Sequence, residues 1–100
     1  MEDLNKEKIL EIISKNKSYL EEKFGVKNLY LFGSYVRDEQ NEESDIDFIV
    51  DFKNKSRAGV ILSLNIYLEK LFDKEIDLAE RHEIRDDYKE YILNDDLLKC

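Results

Sequence analysis

Three aspartates are spaced so that their side chains could act together on a cation. Asp45 and Asp47 lie two residues apart in the alternating segment Asp45–Phe52, which predicts a β-strand. Because successive strand residues point to opposite faces, we expect both carboxylates on one face. Asp77 lies between two apolar residues of a later segment, whose strand could lie beside the first. Such oxygen ligands suit hard cations such as Mg²⁺ or Mn²⁺, and without a cation the paired carboxylates would resist joint ionisation.

The dipeptide Gly33-Ser34 supplies a complementary, phosphate-binding half of the pattern. A glycine at a strand-to-helix turn lets the backbone approach a phosphate closely, and the Ser34 amide and hydroxyl could donate hydrogen bonds at a helix N-terminus. Arg37, one helical turn onward, could contact a phosphate or form a surface ion pair. A triphosphate and three carboxylates are all anionic, so they can meet only with divalent cations between them. The pattern therefore predicts two-metal phosphoryl or nucleotidyl transfer.

The elements that must position these residues can be predicted from apolar periodicity and from three glycines in a chain without proline. A further helix is expected to follow Gly33-Ser34, and a wholly polar loop spans Asp38–Ser44. The order of elements favours an α/β (α+β) fold, a small mixed β-sheet flanked by helices. We predict helices over Leu4–Phe24, Gly59–Phe72 and Ile84–Leu93, strands over Lys27–Phe32, Asp45–Phe52 and Glu75–Ala79, and a possible edge strand at Leu97-Leu98.

Length and composition limit the classes of protein that the chain could be. One hundred residues, 42% of them hydrophobic, suit a single domain over residues 1–100 with one modest core. A net charge of −8 argues against a protein that binds nucleic acid by neutralising phosphates. The single cysteine, Cys100, permits no internal disulfide and favours a reducing compartment. Since no apolar run approaches the length of a membrane span, we expect a cytoplasmic protein with no membrane contact.

Other sites are less well supported by the sequence. An EF-hand starting at Asp45 would need glycine at its sixth position and glutamate at its twelfth, where the chain has Val50 and Ser56. His82 has no second His or Cys at metal-ligand spacing and is expected in an exposed loop. The apolar stripe on residues 60–72 is widened by Leu62 and Ile66, so that one edge could meet another protein.

Three segments taken together resemble the signature of the polymerase-β-like nucleotidyltransferases. The length and acidity of the chain resemble the minimal nucleotidyltransferase (MNT) subgroup, and the resemblance runs from the first helix to the tail. One departure is Asp38, because many relatives have glycine after the arginine. The segments are Gly33-Ser34-Tyr35-Val36-Arg37, Ser44-Asp45-Ile46-Asp47-Phe48-Ile49-Val50 and Ile76-Asp77-Leu78.

The resemblance implies a role for each matching residue. Gly33 and Ser34 would contact the nucleotide phosphates, with Arg37 beside them. Asp45 and Asp47 would ligate Mg²⁺, and Asp77 would complete the metal site and help deprotonate the acceptor hydroxyl.

The family also implies a reaction and a partner. The expected reaction moves AMP from ATP to a hydroxyl of a HEPN-type RNase toxin, with a tyrosine as the expected acceptor and the chain acting as antitoxin. The alternative is an acidic binding module that neutralises a basic toxin by occlusion, without catalysis. The charge of −8 favours such docking, since surfaces of opposite sign steer association.

Overall fold

A computed structural model of the chain describes residues 4–53, 59–80 and 97–100. The predicted helix Ile84–Leu93 and His82 lie outside these residues. Within the described ranges, the helices and strands follow the predicted order closely. They are α1 (Lys6–Phe24), β1 (Val26–Phe32), a 3₁₀ turn (Gly33–Tyr35), β2 (Ile46–Phe52), α2 (Val60–Phe72), β3 (Ile76–Glu80) and β4 (Leu98–Lys99).

The four strands form one mixed sheet in the order β3-β2-β1-β4. Strand β1 is antiparallel to both β2 and β4, whereas β2 and β3 are parallel. Parallel neighbours need a crossover connection, and α2 lies in the connection between β2 and β3. The predicted fold class, a small mixed sheet flanked by helices, is confirmed. The predicted edge strand at the tail is also confirmed, at Leu98–Lys99.

Helix α1 begins and ends at the kinds of residue that fix helix ends. At its start, the Asn5 side-chain oxygen accepts a hydrogen bond of 2.9 Å from the Lys8 amide. At its end, Gly25 adopts a left-handed φ of 72° and its amide donates to the Glu21 carbonyl at 2.9 Å. The Gly25 cap ends the helix immediately before β1, the strand that leads into Gly33.

The main core lies between the sheet and both helices. Leu64 and Leu68 of α2 are fully buried, and so is Phe48 of β2. Because strand residues alternate, Asp47 lies on the sheet face opposite to this core. Ile49, on the same face as Asp47, is 1% exposed yet lies outside the main core cluster. That cluster also includes Ile9, Ile13, Leu20, Leu29, Leu31, Ile46 and Val50.

The predicted stripe on α2 is buried along its centre and exposed along one edge. Leu62 and Ile66, which widen the stripe in the sequence, are 62% and 46% exposed. Among residues 4–53, 59–80 and 97–100, neither helix combines the length and the apolar character that a membrane crossing requires.

The helix expected after Gly33-Ser34 is instead a single 3₁₀ turn, Gly33–Tyr35. The Gly33 carbonyl accepts hydrogen bonds from the amides of Val36 (3.1 Å) and Arg37 (3.3 Å). The turn does not continue into a helix because Asp38 takes a left-handed φ of 58°. After Tyr35, which is 1% exposed, the polar segment offers no apolar stripe that could hold a longer helix against the sheet.

Candidate active site

Asp47 and Asp77 occupy paired positions on the two parallel strands. Asp47 of β2 is in register with Asp77 of β3, and on its other side Asp47 is paired with Phe32 at the end of β1. Neighbouring strands lie about 4.8 Å apart, and paired residues point to the same face of the sheet. The prediction that the strand of Asp77 lies beside that of Asp47 is therefore confirmed.

Gly33 approaches the Asp47 carboxylate so closely that a side chain at position 33 would require the carboxylate to move. A Cβ built on Gly33 would lie 2.5 Å from Asp47 Oδ2, and its φ of 83° is in the left-handed region. The turn that follows β1 thus lies directly against one of the carboxylates on the neighbouring strand. This contact joins the two halves of the predicted site, the Gly33-Ser34 turn and the aspartates.

The surroundings of Asp47 disfavour its charged form and raise its pKa to about 6. Partial burial is the largest cause, followed by the negative charges of Asp77 and Asp45. A hydrogen bond between the Asp47 and Asp77 carboxyl groups adds to the shift, whereas the charge of Arg37 opposes it. The expected repulsion between carboxylates is therefore present, and a cation at this point would relieve it.

Of the other predicted site residues, Asp45 and Arg37 lie close enough to Asp47 for their charges to affect its pKa, and Ser34 follows Gly33 in the turn. Asp45 is exposed and immediately precedes β2. Ser34 is half-buried in the 3₁₀ turn, and its carbonyl accepts a hydrogen bond of 2.9 Å from the Glu39 amide. Arg37 is exposed, and its Nε donates to Glu39 Oε2 at 3.1 Å, the surface ion pair that the sequence left open.

The side chains around Asp47 are carboxylates, the kind of oxygen donor that hard cations such as Mg²⁺ prefer. In the described part of the chain, no group of three or more His, Cys, Asp or Glu side chains is arranged to hold a metal ion by itself. Mg²⁺ is usually bound by one or two carboxylates together with substrate phosphates and water, not by an all-protein cage. The carboxylate set beside the Gly33 turn fits that mode of binding.

Two lysines hold the loop between β1 and β2 in place. Nothing in the sequence had given a reason to select either of them. Lys6 Nζ lies 3.0 Å from Asp38 Oδ2 and 3.5 Å from the Val36 carbonyl oxygen. Lys74 Nζ donates to the carbonyls of Glu42 (3.0 Å) and Ser44 (3.1 Å), just before Asp45. Each lysine is at least 30 residues from its partners, so no local pattern could have indicated these contacts.

Comparison with known proteins identifies the family of the chain. Residues 13–100 match the nucleotidyltransferase domain family. A Methanocaldococcus jannaschii protein provisionally named a protein adenylyltransferase is 41% identical over 92 residues, covering 90% of this chain and 92% of the relative. The protein adenylyltransferase MntA of Thermococcus cleftensis is 35% identical over 92 residues, covering 92% of this chain and 93% of MntA.

Solved structures share the fold. A structure provisionally described as a minimal nucleotidyltransferase matches with a TM-score of 0.78 at 22% identity, over 96% of this chain and 97% of that one. A toxin–antitoxin crystal structure with AMP-PNP matches with a TM-score of 0.54 at 28% identity, over 77% of this chain and 57% of that one. A third structure, with a TM-score of 0.59 and 19% identity, is a complex of a tri-AMPylated Shewanella oneidensis HEPN toxin with an MNT antitoxin; 93% of this chain and 66% of that one are covered. The chain therefore belongs to the nucleotidyltransferase domain family and is homologous to proteins named as protein adenylyltransferases, MntA of Thermococcus cleftensis among them.

Proposed function

We propose that the chain is a Mg²⁺-dependent protein adenylyltransferase that acts as an antitoxin, transferring AMP from ATP to a tyrosine hydroxyl of a HEPN-type RNase toxin. The observation that carries the proposal is the pairing of Asp47 with Asp77 directly against the Gly33 turn. Relatives named protein adenylyltransferases support the reaction, and the neighbour with AMP-PNP supports ATP as the nucleotide. The neighbour with an AMPylated HEPN toxin has the same fold and suggests the partner.

The reaction moves one adenylyl group. The acceptor oxygen forms a bond to the α-phosphorus of ATP, the bond from that phosphorus to the bridging oxygen breaks, and pyrophosphate leaves. Asp77, on the exposed side of the carboxylate pair, takes the proton of the acceptor hydroxyl. The Gly33-Ser34 backbone and the Ser34 hydroxyl bind phosphate oxygens, and Arg37 stabilises the negative charge that they carry.

Asp45, Asp47 and Asp77 are the residues that would hold Mg²⁺, with triphosphate oxygens as the remaining ligands. When bound, Mg²⁺ neutralises the triphosphate and polarises the phosphoryl group that is transferred. A bound cation would also offset the repulsion by Asp77 and Asp45, which adds to the effect of burial on the pKa of Asp47. That would lower the pKa of Asp47 and favour the ionised carboxylate that a metal ligand requires.

The test combines the purified chain with a HEPN-type toxin, α-labelled ATP and Mg²⁺. We expect labelled toxin whose intact mass rises in multiples of one adenylyl group, and no labelling with Asp45→Ala or Asp47→Ala. Asp51→Ala is the matched control, since Asp51 lies further along β2 beside Asn28. Replacing the modified tyrosine of the toxin by phenylalanine should remove the label. Undiminished transfer by either site variant would refute the assignment of catalytic residues.

The net charge of −8 favours a second candidate, an antitoxin that neutralises a basic toxin by covering it. In that case the Asp45→Ala variant neutralises RNase activity as well as the unaltered chain, only at stoichiometric amounts, and less effectively as salt is raised. The transferase predicts instead that a small amount of chain inactivates excess toxin when ATP and Mg²⁺ are present. Titrating toxin RNase activity with each protein separates the two functions.

A further inference from the structure

We infer that Lys6 is a positioning residue for nucleotide binding, because it contacts the segment that carries Arg37 and directly follows the Gly33–Tyr35 turn. The inference rests on the proposed function, in which that turn binds the triphosphate. Lys6 is the first residue of α1 and is remote in the chain from the turn. It does not touch the reacting groups, so its effect is exerted through the loop.

Lys6 contacts both residues that adjoin Arg37 in the chain. Its Nζ lies 3.0 Å from Asp38 Oδ2 and 3.5 Å from the carbonyl oxygen of Val36, the two neighbours of Arg37 in the chain. The side chain of Lys6 is 29% exposed, compared with 71% for Lys15, which pairs with Glu11 on the same helix. Lys6 is therefore held against the loop and is not extended into solvent.

Two backbone hydrogen bonds connect the segment that Lys6 contacts to the Gly33-Ser34 turn. The Arg37 amide donates to the Gly33 carbonyl at 3.3 Å, and the Glu39 amide donates to the Ser34 carbonyl at 2.9 Å. Asp38 lies between those two donors with a left-handed φ of 58°, a conformation that is uncommon outside glycine but that aspartate adopts more often than most residues. The charged contact with Lys6 holds Asp38 in that conformation and so fixes where the turn closes.

Helix stability does not account for a lysine at this position. The amino-terminal end of a helix carries a partial positive charge and favours acidic side chains. Lys6 lies in that first turn, so its charge is mildly unfavourable for α1 itself. The favourable interaction of the Lys6 charge is therefore its ion pair with Asp38 in the loop.

The test measures ATP affinity and thermal stability for Lys6→Gln, Lys6→Arg and the matched control Lys15→Gln. We expect Lys6→Gln to weaken binding of a fluorescent ATP analogue, with Mg²⁺, by about threefold to tenfold and to raise the KM for ATP by a similar factor, with kcat little changed. Lys6→Arg restores affinity, because it keeps the charge. Lys15→Gln removes the same charge from another exposed ion pair of α1 and should leave ATP affinity unchanged.

A second set of variants tests whether Lys6 acts through Asp38. Asp38→Asn keeps the backbone preference of aspartate but removes the negative charge, so it should weaken ATP binding as much as Lys6→Gln does. The double variant should be no weaker than either single one, because both remove the same contact. Equal losses of affinity for Lys6→Gln and Lys15→Gln, or additive losses in the double variant, would overturn the inference. Failure of the unaltered chain to bind ATP would instead overturn the proposed function.

Discussion

At Gly33, a left-handed backbone conformation coincides with a close approach to the site residue Asp47. Gly33→Ala meets two obstacles, a φ of 83° and a Cβ that would lie 2.5 Å from Asp47 Oδ2. We expect the variant to lose about 1 kcal/mol of stability from backbone strain and, because Asp47 must move, to lose about tenfold or more in transferase activity. Chemical unfolding and initial rates of AMP transfer measure the two effects.

Gly25→Ala is the matched control for that variant. Gly25 has a similar φ of 72°, but nothing lies within 4 Å of a Cβ at this position. Its replacement should cost a similar amount of stability and leave transfer unchanged. Equal activities of the two variants would show that the Gly33 contact does not position Asp47.

Asp47 is expected to lower the stability of the protein at neutral pH. Its pKa is about 6 in the folded protein, above the ordinary value of 3.8, so the folded state holds the proton more tightly than the unfolded chain. The stabilisation that follows is complete below about pH 4 and is lost as the pH rises through about 6. Without metal, Asp47→Asn should therefore be more stable than the unaltered chain at about pH 8, by about 1 kcal/mol after allowance for solvent screening, and equally stable near pH 4.

Urea unfolding at the two pH values measures this difference. Asp51→Asn serves as the control on the same strand, since Asp51 accepts a hydrogen bond of 3.3 Å from Asn28 Nδ2 and no gain is expected there. If Asp47→Asn destabilises the protein at about pH 8, the carboxylate contributes favourable interactions that outweigh its burial and repulsion.

At the scale of elements, α2 connects the two strands that carry Asp47 and Asp77. Leu64 is fully buried on its inner face, whereas Leu62 is 62% exposed on its outer face. We expect Leu64→Ala to lower the free energy of unfolding by about 2–5 kcal/mol, and Leu62→Ala to change it by less than about 0.5 kcal/mol. Urea midpoints of the two variants test this assignment, which fails if Leu62→Ala proves the more damaging change.

The bounds of the helices and strands could be predicted because they depend on local patterns. The expected helix Leu4–Phe24 is observed as Lys6–Phe24, and the expected strand from Asp45 begins one residue later. The helix expected after Ser34 was wrong, because a Gly-Ser turn does not determine how far the following residues stay helical. That depends on whether they find a core to pack against.

The geometry of the site could be predicted only in part. The spacing of Asp45 and Asp47 predicted both on one strand, whereas Asp45 lies one residue before β2. The register with Asp77 is fixed by the crossover through α2. The contact of Lys6 with Asp38 joins residues 32 positions apart, and neither residue has a distinctive local pattern. Long-range pairing of this kind is decided by the packing of whole elements.

At the scale of the whole molecule, net charge determines how ATP approaches. The chain carries −8 and measures 37 × 31 × 20 Å, so at about 0.01 M salt, where the Debye length is about 30 Å, an anion feels most of that charge. At about 0.15 M the Debye length falls to about 8 Å, and only the charges of the site act on the triphosphate. Metal-free ATP should therefore bind weakly, and most weakly at low salt.

We predict opposite responses to salt with and without the cation. In EDTA, raising the salt from about 0.01 to 0.15 M should strengthen ATP binding, because it screens repulsion between like charges. With Mg²⁺, binding should be at least about tenfold tighter and much less sensitive to salt, since the cation neutralises both the triphosphate and the aspartates around Asp47. Equilibrium titrations measure these affinities, and uncharged adenosine is the control that should respond to neither variable. Metal-free ATP binding that weakens as salt rises would mean that cationic side chains dominate the phosphate site and that the carboxylates do not face the nucleotide.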